Sequence, residues 1–288
     1  ADNGSDADSL TEVVGWDDQS GNDNTVQNVE GSWYNELPEF RASTHSEAIN
    51  FNPVIAYDNN NDVLYDIDGL WNESDNPEDV HIYAVYQQNN PGASGTDTIY
   101  WENVDSGQIG AYAHSGSNFH AYHGNSAVNA ANAASDWDGD SATLRRDIAS
   151  VAGGEEQKIY FNNKLQVSES SADTNITGVA ANPWYIGATS TAGASSASGS
   201  IAEIVVFDGD QDALTVNQVE SYLAAKYGLT LDQTADTNYT ASDGATHMWS
   251  ATKVLRNFIH AIAVTGTTAP SLMSPASKSS ARWSCKAR

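Results

Sequence analysis

The sequence predicts an all-β protein, an antiparallel sandwich of two sheets with one helix packed on it towards the C-terminal end. Three observations support this fold class. The segment Val80–Gln87 carries apolar and aromatic side chains on both faces, which is typical of a central strand buried on two sides. Short apolar runs recur between clusters of Gly, Asn, Asp and Ser, which favour turns. One segment, residues 215–228, has the pattern of an amphipathic helix.

The remaining strands are predicted from the same short apolar runs. In chain order they are Pro53–Tyr57, Thr98–Trp101, Ile109–His114, Asn118–His123, Ile159–Phe161, Trp184–Gly187 and Ile201–Phe207. The helix is expected to begin at Thr215, because Thr215 and Gln218 have the spacing of a capping box. Gly228 is expected to end it, since glycine adopts the left-handed conformation that terminates many helices.

The net charge excludes several classes of partner. The 288 residues contain 38 Asp and Glu but only 12 Lys and Arg, which gives a formal charge of −26. A surface this negative repels phosphate backbones and anionic bilayers, so nucleic acid and membrane insertion are not expected. The excess of Asp indicates a salt-adapted protein, and the alternative is an ordinary acidic secreted protein.

The charge distribution separates an acidic body from a cationic tail. Every acid lies between Asp2 and Asp243, whereas half of the Lys and Arg residues follow Asp243. Two interpretations of this cationic tail remain open. It is either a strap lying on the acidic body or a stretch of altered reading frame or vector sequence, and the second is slightly favoured.

Four segments, in this order, resemble a known family: Trp16–Asn22, Asn52–Asp58 leading to Asn61 and Asp62, Ile201–Asp208, and Val219–Gly228. Together they are similar to the concanavalin A-like, laminin-G-like jelly roll of large bacterial secreted and surface proteins. The resemblance covers residues 1–231 and implies a jelly-roll sandwich at the cell surface, often with Ca²⁺ at a loop rim. Residues 232–288 are then predicted to be an irregular extension, in which Tyr239–Gly244 and Trp249 resemble the segment that often follows this domain, until the likeness fails after Ile262. Family members usually begin with an apolar strand before the segment that matches residues 1–4. That strand is missing here, so an edge strand is either absent or supplied from elsewhere.

Acidic clusters are the candidates for a metal site. Asp136, Asp138 and Asp140 alternate around Trp137 and Gly139, which is a spacing that can wrap oxygen ligands around Ca²⁺. As an EF-hand the loop is incomplete, because its sixth position is Ser141. Asp58 with Asp62 forms a second candidate. Ca²⁺ is therefore the expected cofactor, and a solvated acidic turn is the alternative at each cluster.

Catalytic motifs are weak. The jelly roll also hosts glucanases that place nucleophile and acid on one strand, but in Glu203–Asp208 the central carboxylate of that motif is replaced by Val205. Glu203 and Asp208 should also point to opposite faces. His114, His120 and His123 fall on a predicted hairpin, yet His120 and His123 are three apart on a strand and are better explained as ordinary histidines than as zinc ligands.

Tryptophans in polar sequence are the candidates for ligand binding. Trp33, Trp71, Trp101 and Trp137 have such surroundings, and flat rings stack against sugar faces. The alternative for each ring is a place in the core. The sequence therefore favours a non-catalytic extracellular recognition module that binds a glycan or another cell-surface ligand with calcium assistance. A glucanase-like glycoside hydrolase and a peptide-binding adhesin module are the alternatives.

Overall fold

The computed structural model describes residues 11–28, 37–58, 60–71, 79–88, 96–104, 107–114, 118–124, 126–131, 141–150, 156–170, 182–190, 194–251 and 280–285. The strands, in chain order, are β1 Thr11–Glu12, β2 Gly15–Asp18, β3 Val26–Gln27, β4 Glu39–Arg41, β5 Val54–Asp58, β6 Leu64–Asp66, β7 Asp79–Gln88, β8 Thr96–Val104, β9 Gly107–His114, β10 Asn118–Gly124, β11 Ser126–Ala131, β12 Thr143–Ser150, β13 Glu156–Phe161, β14 Lys164–Ser170, β15 Trp184–Ile186, β16 Ser198–Asp208, β17 Tyr239–Thr240, β18 His247–Trp249 and β19 Ser280–Cys285. The helix α1 spans Ala213–Tyr227.

Strands β1–β16 form two antiparallel sheets. Sheet A has the order β1-β4-β5-β16-β7-β12-β13-β14. Sheet B has the order β2-β3-β6-β15-β8-β9-β10-β11. Strand β19 pairs with β16 of sheet A and with β2 of sheet B. This arrangement confirms the predicted fold class of an antiparallel two-sheet sandwich with one helix.

The main hydrophobic core lies between the two sheets. Sheet A contributes residues such as Ile82 and Ile204, and sheet B contributes Leu64, Tyr100 and Trp184. Strand β7 is central, as the apolar side chains on both of its faces predict, because its even-numbered residues from Val80 to Tyr86 face this core. Its odd-numbered residues Tyr83 and Val85 belong to a second cluster on the opposite face.

Helix α1 covers that opposite, outer face of sheet A. Val219, Leu223 and Tyr227 pack against residues of β7 and β16, as the predicted apolar stripe requires. Two ion pairs join the helix to the sheet. Lys226 Nζ lies 2.7 Å from Glu203 Oε2, and Arg146 Nε lies 2.9 Å from Glu220 Oε1. Glu203 also accepts a hydrogen bond from the Tyr227 hydroxyl at 2.9 Å. The first acid of Glu203–Asp208, the segment compared with the glucanase motif, therefore helps to hold the helix on the sheet.

The start of the helix differs from the prediction. Asp212, not Thr215, is the N-cap, and its carboxylate accepts a hydrogen bond from the Thr215 amide at 2.7 Å. Gln218 is turned away from the cap, because its side-chain amide donates to the carbonyl of Ser242 at 2.8 Å. Gly228 ends the helix in the left-handed conformation, as predicted. In the described part of the chain, no helix has the length and apolar character needed to cross a membrane.

Residues that follow the predicted boundary at 231/232 pack on the helix. Strands β17 and β18 form a small hairpin, and the Thr240 amide donates to Ser221 Oγ at 2.9 Å. Ser280–Cys285 extends the sheets as strand β19. Both the domain boundary and the origin of the tail stay predictions.

Candidate functional site

Four aromatic residues form a row on the outer face of sheet B. Tyr65, Tyr185 and Trp101 are cross-strand partners on β6, β15 and β8. Gly110 on β9 follows Trp101 in register, and Tyr122 on β10 follows Gly110. We call Tyr65, Tyr185, Trp101 and Tyr122 the aromatic row. It crosses five strands and spans roughly 19 Å at the usual strand spacing.

The alternation along each strand places this row outside the main core. Leu64, Tyr100 and Ile186 face the core between the sheets, whereas their neighbours Tyr65, Trp101 and Tyr185 belong to a separate cluster. Successive side chains of a strand point to opposite faces, so the aromatic row lies on the face of sheet B away from sheet A.

The rings of the row contact one another in two pairs. Tyr65 and Tyr185 have ring centroids 6.1 Å apart, and Trp101 and Tyr122 meet edge to face at 5.3 Å. Gly110 makes the second contact possible, because the Trp101 indole lies over it. A Cβ atom at position 110 would come within 2.1 Å of the Trp101 ring.

Exposure varies along the row. Trp101 and Tyr185 are 6% and 7% exposed, whereas Tyr65 and Tyr122 are half-buried. His120 is also half-buried, and its ring stacks on Tyr122 with a centroid distance of 6.3 Å. Tyr65, Tyr122 and His120 therefore present polar groups and ring edges. The buried rings of Trp101 and Tyr185 lie between Tyr65 and Tyr122 in the row.

The predicted tryptophan sites have separate outcomes. Trp101 is placed in the aromatic row, but its ring is mostly covered. Trp71 is 4% exposed and belongs to the main core between the sheets. Trp33 and Trp137 lie outside the described residues. The assignment of these four rings to ligand binding stays a prediction, and the accessible aromatic groups in the described part near Trp101 are tyrosines.

Of the acidic residues predicted as metal ligands, the structure describes only Asp58 and Asp62. Asp62 is buried, and its Oδ2 atom accepts a hydrogen bond from the Asp58 amide at 2.8 Å, so this carboxylate stabilises its own turn. Asp58 is exposed. Asp136, Asp138 and Asp140 lie outside the described residues. Within the described ranges, no group of three or more His, Cys, Asp and Glu side chains is arranged to hold a metal ion.

A buried carboxyl that the sequence did not single out lies on the inner face of sheet B. Glu102 is fully buried, and its Oε2 atom accepts a hydrogen bond from the Leu70 amide at 3.2 Å. Burial raises the pKa of Glu102 well above its usual range. Gly69 has φ +73°, and a Cβ there would lie 2.8 Å from Glu102 Oε1. Glu102 therefore fixes the loop after β6 and has no access to solvent from which to act on a substrate.

His114 lies on β9, and His120 and His123 lie on β10, so all three fall on the predicted hairpin. Strands β9 and β10 pair antiparallel from His114 opposite Asn118 to Gln108 opposite Gly124. His120 lies beside Tyr122 in space. The sequence could locate this hairpin, but it gave no indication that Tyr65 and Tyr185, far apart in the chain, join it in one row, since that depends on the strand order of sheet B.

Comparisons with known proteins give partial matches. Residues 215–281 match a family model described as a domain of unknown function, DUF8202. This match crosses the predicted boundary at 231/232 and includes most of the cationic tail. No curated protein matches the chain significantly.

Among solved structures, the chain is similar to domain 4 of AbnA, a GH43 extracellular arabinanase from Geobacillus stearothermophilus, in complex with arabinotriose. The identity is 11% and the TM-score 0.45, with 69% of this chain and 94% of that domain covered. It is also similar to the binding domain of botulinum neurotoxin serotype D, at 11% identity and TM-score 0.48, with 78% of this chain and 56% of that chain covered. A third is the mouse laminin α1 chain, domains LG4-5, at 14% identity and TM-score 0.38, with 55% and 40% covered. These similarities concern the fold alone.

Proposed function

We propose that this chain is a non-catalytic recognition module of an extracellular or cell-surface protein and that the outer face of sheet B binds carbohydrate. The observation that carries the proposal is the aromatic row, with half-buried Tyr65 and Tyr122 at its ends. The row is longer than one sugar ring, which favours an oligosaccharide over a monosaccharide.

The chemistry of the row suits a sugar chain. The C–H faces of sugars pack on aromatic rings, and tyrosine combines a flat ring with a hydroxyl that hydrogen-bonds to sugar hydroxyls. Trp101 and Tyr185 are buried. Trp101 fixes the position of Tyr122 through a ring contact at 5.3 Å, and Tyr185 fixes that of Tyr65 through a ring contact at 6.1 Å. Rings held in place lose little side-chain entropy on binding.

The negative charge of the chain supports a neutral or cationic ligand. A formal charge of −26 repels sulfated and other polyanionic glycans. Neutral oligosaccharides, which are bound by stacking and hydrogen bonding, are therefore the preferred class.

Calcium assistance is the second element of the proposal. Asp136, Asp138 and Asp140 have the alternate spacing that suits Ca²⁺, and Trp137 stands among them. In the second candidate cluster, Asp58 is exposed, whereas Asp62 stabilises its turn. Loss of glycan binding on addition of a chelator, with recovery on addition of Ca²⁺, is expected.

The test is a glycan array followed by calorimetry on the strongest neutral glycan. Tyr122→Ala and Tyr65→Ala should each weaken binding by at least tenfold, because each removes a half-buried ring from the aromatic row. Tyr160→Ala is the matched control, since Tyr160 is a half-buried ring against Arg146 on sheet A. Trp137→Ala tests the loop prediction separately. Unchanged affinity in both row variants would exclude the outer face of sheet B.

The two alternative functions, a glycoside hydrolase and a peptide-binding adhesin module, predict different experimental results. Product formation from a panel of β-glucans would establish a glycoside hydrolase. Retention of an extended peptide, with no glycan bound, would favour the adhesin module. Either result would replace the proposal.

A further inference from the structure

A hydrogen-bonded ion network crosses the space between the two sheets. Arg145 on β12 is fully buried, and its Nε atom lies 2.7 Å from Asp147 Oδ2. Asp147 also accepts a hydrogen bond from the Tyr100 hydroxyl on β8. From Nη2, Arg145 donates to the backbone carbonyl of His120 on β10 at 2.6 Å. We call Arg145, Asp147 and Tyr100 the buried network. It joins sheet A to two strands of sheet B.

These two strands are the ones that carry Trp101 and Tyr122. Tyr100 directly precedes Trp101 on β8, and His120 is two residues from Tyr122 on β10. The network reaches β8 and β10 from the inner face of sheet B, whereas the two rings meet edge to face on the outer face, with centroids 5.3 Å apart. The buried network therefore lies behind this ring contact.

The strand between β8 and β10 offers little side-chain surface to fix the arrangement of the rings. On its outer face, β9 has Gly110 in register with both rings. On its inner face, it has Ala111, which pairs with Ala121 of β10. Backbone pairing fixes the separation of neighbouring strands, but the twist between them varies over roughly 10–35°. Because the rings stand two strands apart, this twist changes the distance between them. The hydrogen bond from Arg145 holds β10 from the opposite sheet.

Stability alone does not account for this buried ion pair. The desolvation of a guanidinium and a carboxylate offsets much of their attraction, and apolar side chains of similar volume are often at least as stabilising. An apolar pair, however, cannot hold one particular backbone group at a fixed distance. Arg145 does so, because Asp147 binds its Nε atom while Nη2 meets the His120 carbonyl.

We propose that Arg145 and Asp147 are positioning residues of the carbohydrate site, which hold β10 so that Tyr122 keeps its contact with Trp101. This inference rests on the proposed function of the aromatic row. The effect is confined to one end of the row, because Tyr65 on β6 is four strands away from β10.

The first experiment uses the free protein. NMR of the natural chain should show nuclear Overhauser effects between the Trp101 indole and the Tyr122 ring, and between the two tyrosine rings at the other end of the row. The network variant, Arg145→Met with Asp147→Leu, should lose most of the first set and keep the second. The second set shows that the variant is folded. Equal Trp101–Tyr122 signals in the natural chain and the folded variant would overturn the proposal.

The second experiment is calorimetry with the neutral oligosaccharide that binds the natural chain most tightly on the glycan array. The network variant should bind it at least tenfold more weakly. Tyr122→Ala should weaken binding at least tenfold in the natural chain but by less than about threefold in the network variant, whereas Tyr65→Ala should have the same effect in both. Such selective coupling distinguishes positioning from a general loss of stability.

The matched control is another buried ion pair that involves β12. Arg146 Nε lies 2.9 Å from Glu220 Oε1, and this pair faces helix α1 instead of sheet B. Arg146→Met with Glu220→Leu should therefore leave the glycan affinity unchanged. An equal loss of affinity in this control would overturn the proposal.

A second variant keeps the test decisive if the network variant does not fold. Arg145→Lys keeps a charge beside Asp147 but lacks the guanidinium fork, so it should show the same selective coupling to Tyr122. Unchanged affinity of a folded variant would overturn the positioning role and leave the proposed function intact. Absence of neutral glycan binding by the natural chain would overturn both.

Discussion

The Trp101 indole lies over Gly110, its cross-strand neighbour on β9, so that the missing side chain of one residue makes room for the ring of the other. The same glycine pairs with Tyr122 on its other side. Gly110 therefore lets two rings of the aromatic row approach to 5.3 Å across an intervening strand.

Replacing Gly110 by alanine should displace the Trp101 ring. A Cβ atom would lie 2.1 Å from that ring, and overpacking of this kind costs about 1–3 kcal/mol. Denaturant unfolding measures the loss of stability, and glycan binding should weaken with it. Gly15→Ala is the matched control, because the nearest atom to its Cβ is 3.5 Å away. Equal stability of the two variants would contradict the placement of the ring.

Arg145 and Asp147 form an ion pair inside the sandwich. Both face the core from β12, with Arg145 Nε 2.7 Å from Asp147 Oδ2, and Arg145 also donates to the carbonyl of His120 at 2.6 Å. The Tyr100 hydroxyl donates to Asp147. The network thus links β12 of sheet A to β8 and β10 of sheet B.

Removing one member of this pair should be more damaging than removing both. Asp147→Leu leaves a buried guanidinium without its carboxylate and should cost about 3–5 kcal/mol. The double variant Arg145→Met, Asp147→Leu should recover most of that loss, since an apolar pair needs no desolvated charge. A double-mutant cycle from urea unfolding measures the coupling. Additive losses would show that the two residues act independently.

Strands with charged side chains in the core show where sequence patterns are insufficient. The central strand β7 could be predicted, because both of its faces are apolar. Strand β12 was missed, because Arg145 and Asp147 occupy inward positions that a simple apolar alternation assigns to solvent. Their burial depends on a partner two residues away and on Tyr100 in the other sheet, which the pattern of a single strand does not show.

The candidate site, like the set of strands, could be predicted from the sequence only in part. Trp101 was selected from its polar neighbours, yet Glu102 beside it is buried and bonds to the amide of Leu70, so the polar sequence did not mark a loop. The aromatic row depends on the order β6-β15-β8-β9-β10, which no local pattern reveals. Local signals fixed the end of the helix at Gly228 more reliably than its start.

The two assignments of the helix start can be separated by mutation. Asp212→Ala removes the carboxylate that accepts the Thr215 amide hydrogen bond. It should lower the Tm by about 2–4 °C, as loss of a helix cap does in a protein of this size. Gln218→Ala is the control for the predicted capping box and should leave the helix start unchanged. Loss of amide protection at residues 213–215 in the Gln218 variant, but not in the Asp212 variant, would support the capping box instead.

His81 should make stability depend on pH. Burial, with Arg146 adding to it, lowers the pKa of His81 from 6.5 to about 4, although Asp210 lies 3.4 Å from its Nε2 atom. The unfolded chain therefore binds a proton between pH 6.5 and 4 that the folded chain does not. The stability from neutral His81 is present above pH 6.5 and is lost as the pH falls towards 4, by on the order of 3 kcal/mol.

The measurement is the free energy of unfolding of the natural protein relative to His81→Gln across this pH range. The comparison is needed because burial raises the pKa of Glu220 to about 7, and that carboxyl acts in the opposite direction between pH 4.5 and 7. The natural protein should lose stability relative to the variant on acidification. An NMR titration of His81 with a midpoint near 6.5 would contradict the expectation.

Salt should stabilise the folded chain. Acids outnumber cations by 38 to 12, and even a paired cation such as Arg41 serves two acids, with Glu39 at 2.6 Å and Glu47 at 2.8 Å. Folding brings the unpaired carboxylates closer together, so screening their repulsion raises the Tm. Ordinary screening is nearly complete at about 0.15 M, where the Debye length is about 8 Å. A salt-adapted protein should gain further stability at molar KCl, beyond what sucrose of equal osmolality provides, whereas a Tm that levels off at about 0.15 M indicates an ordinary acidic protein.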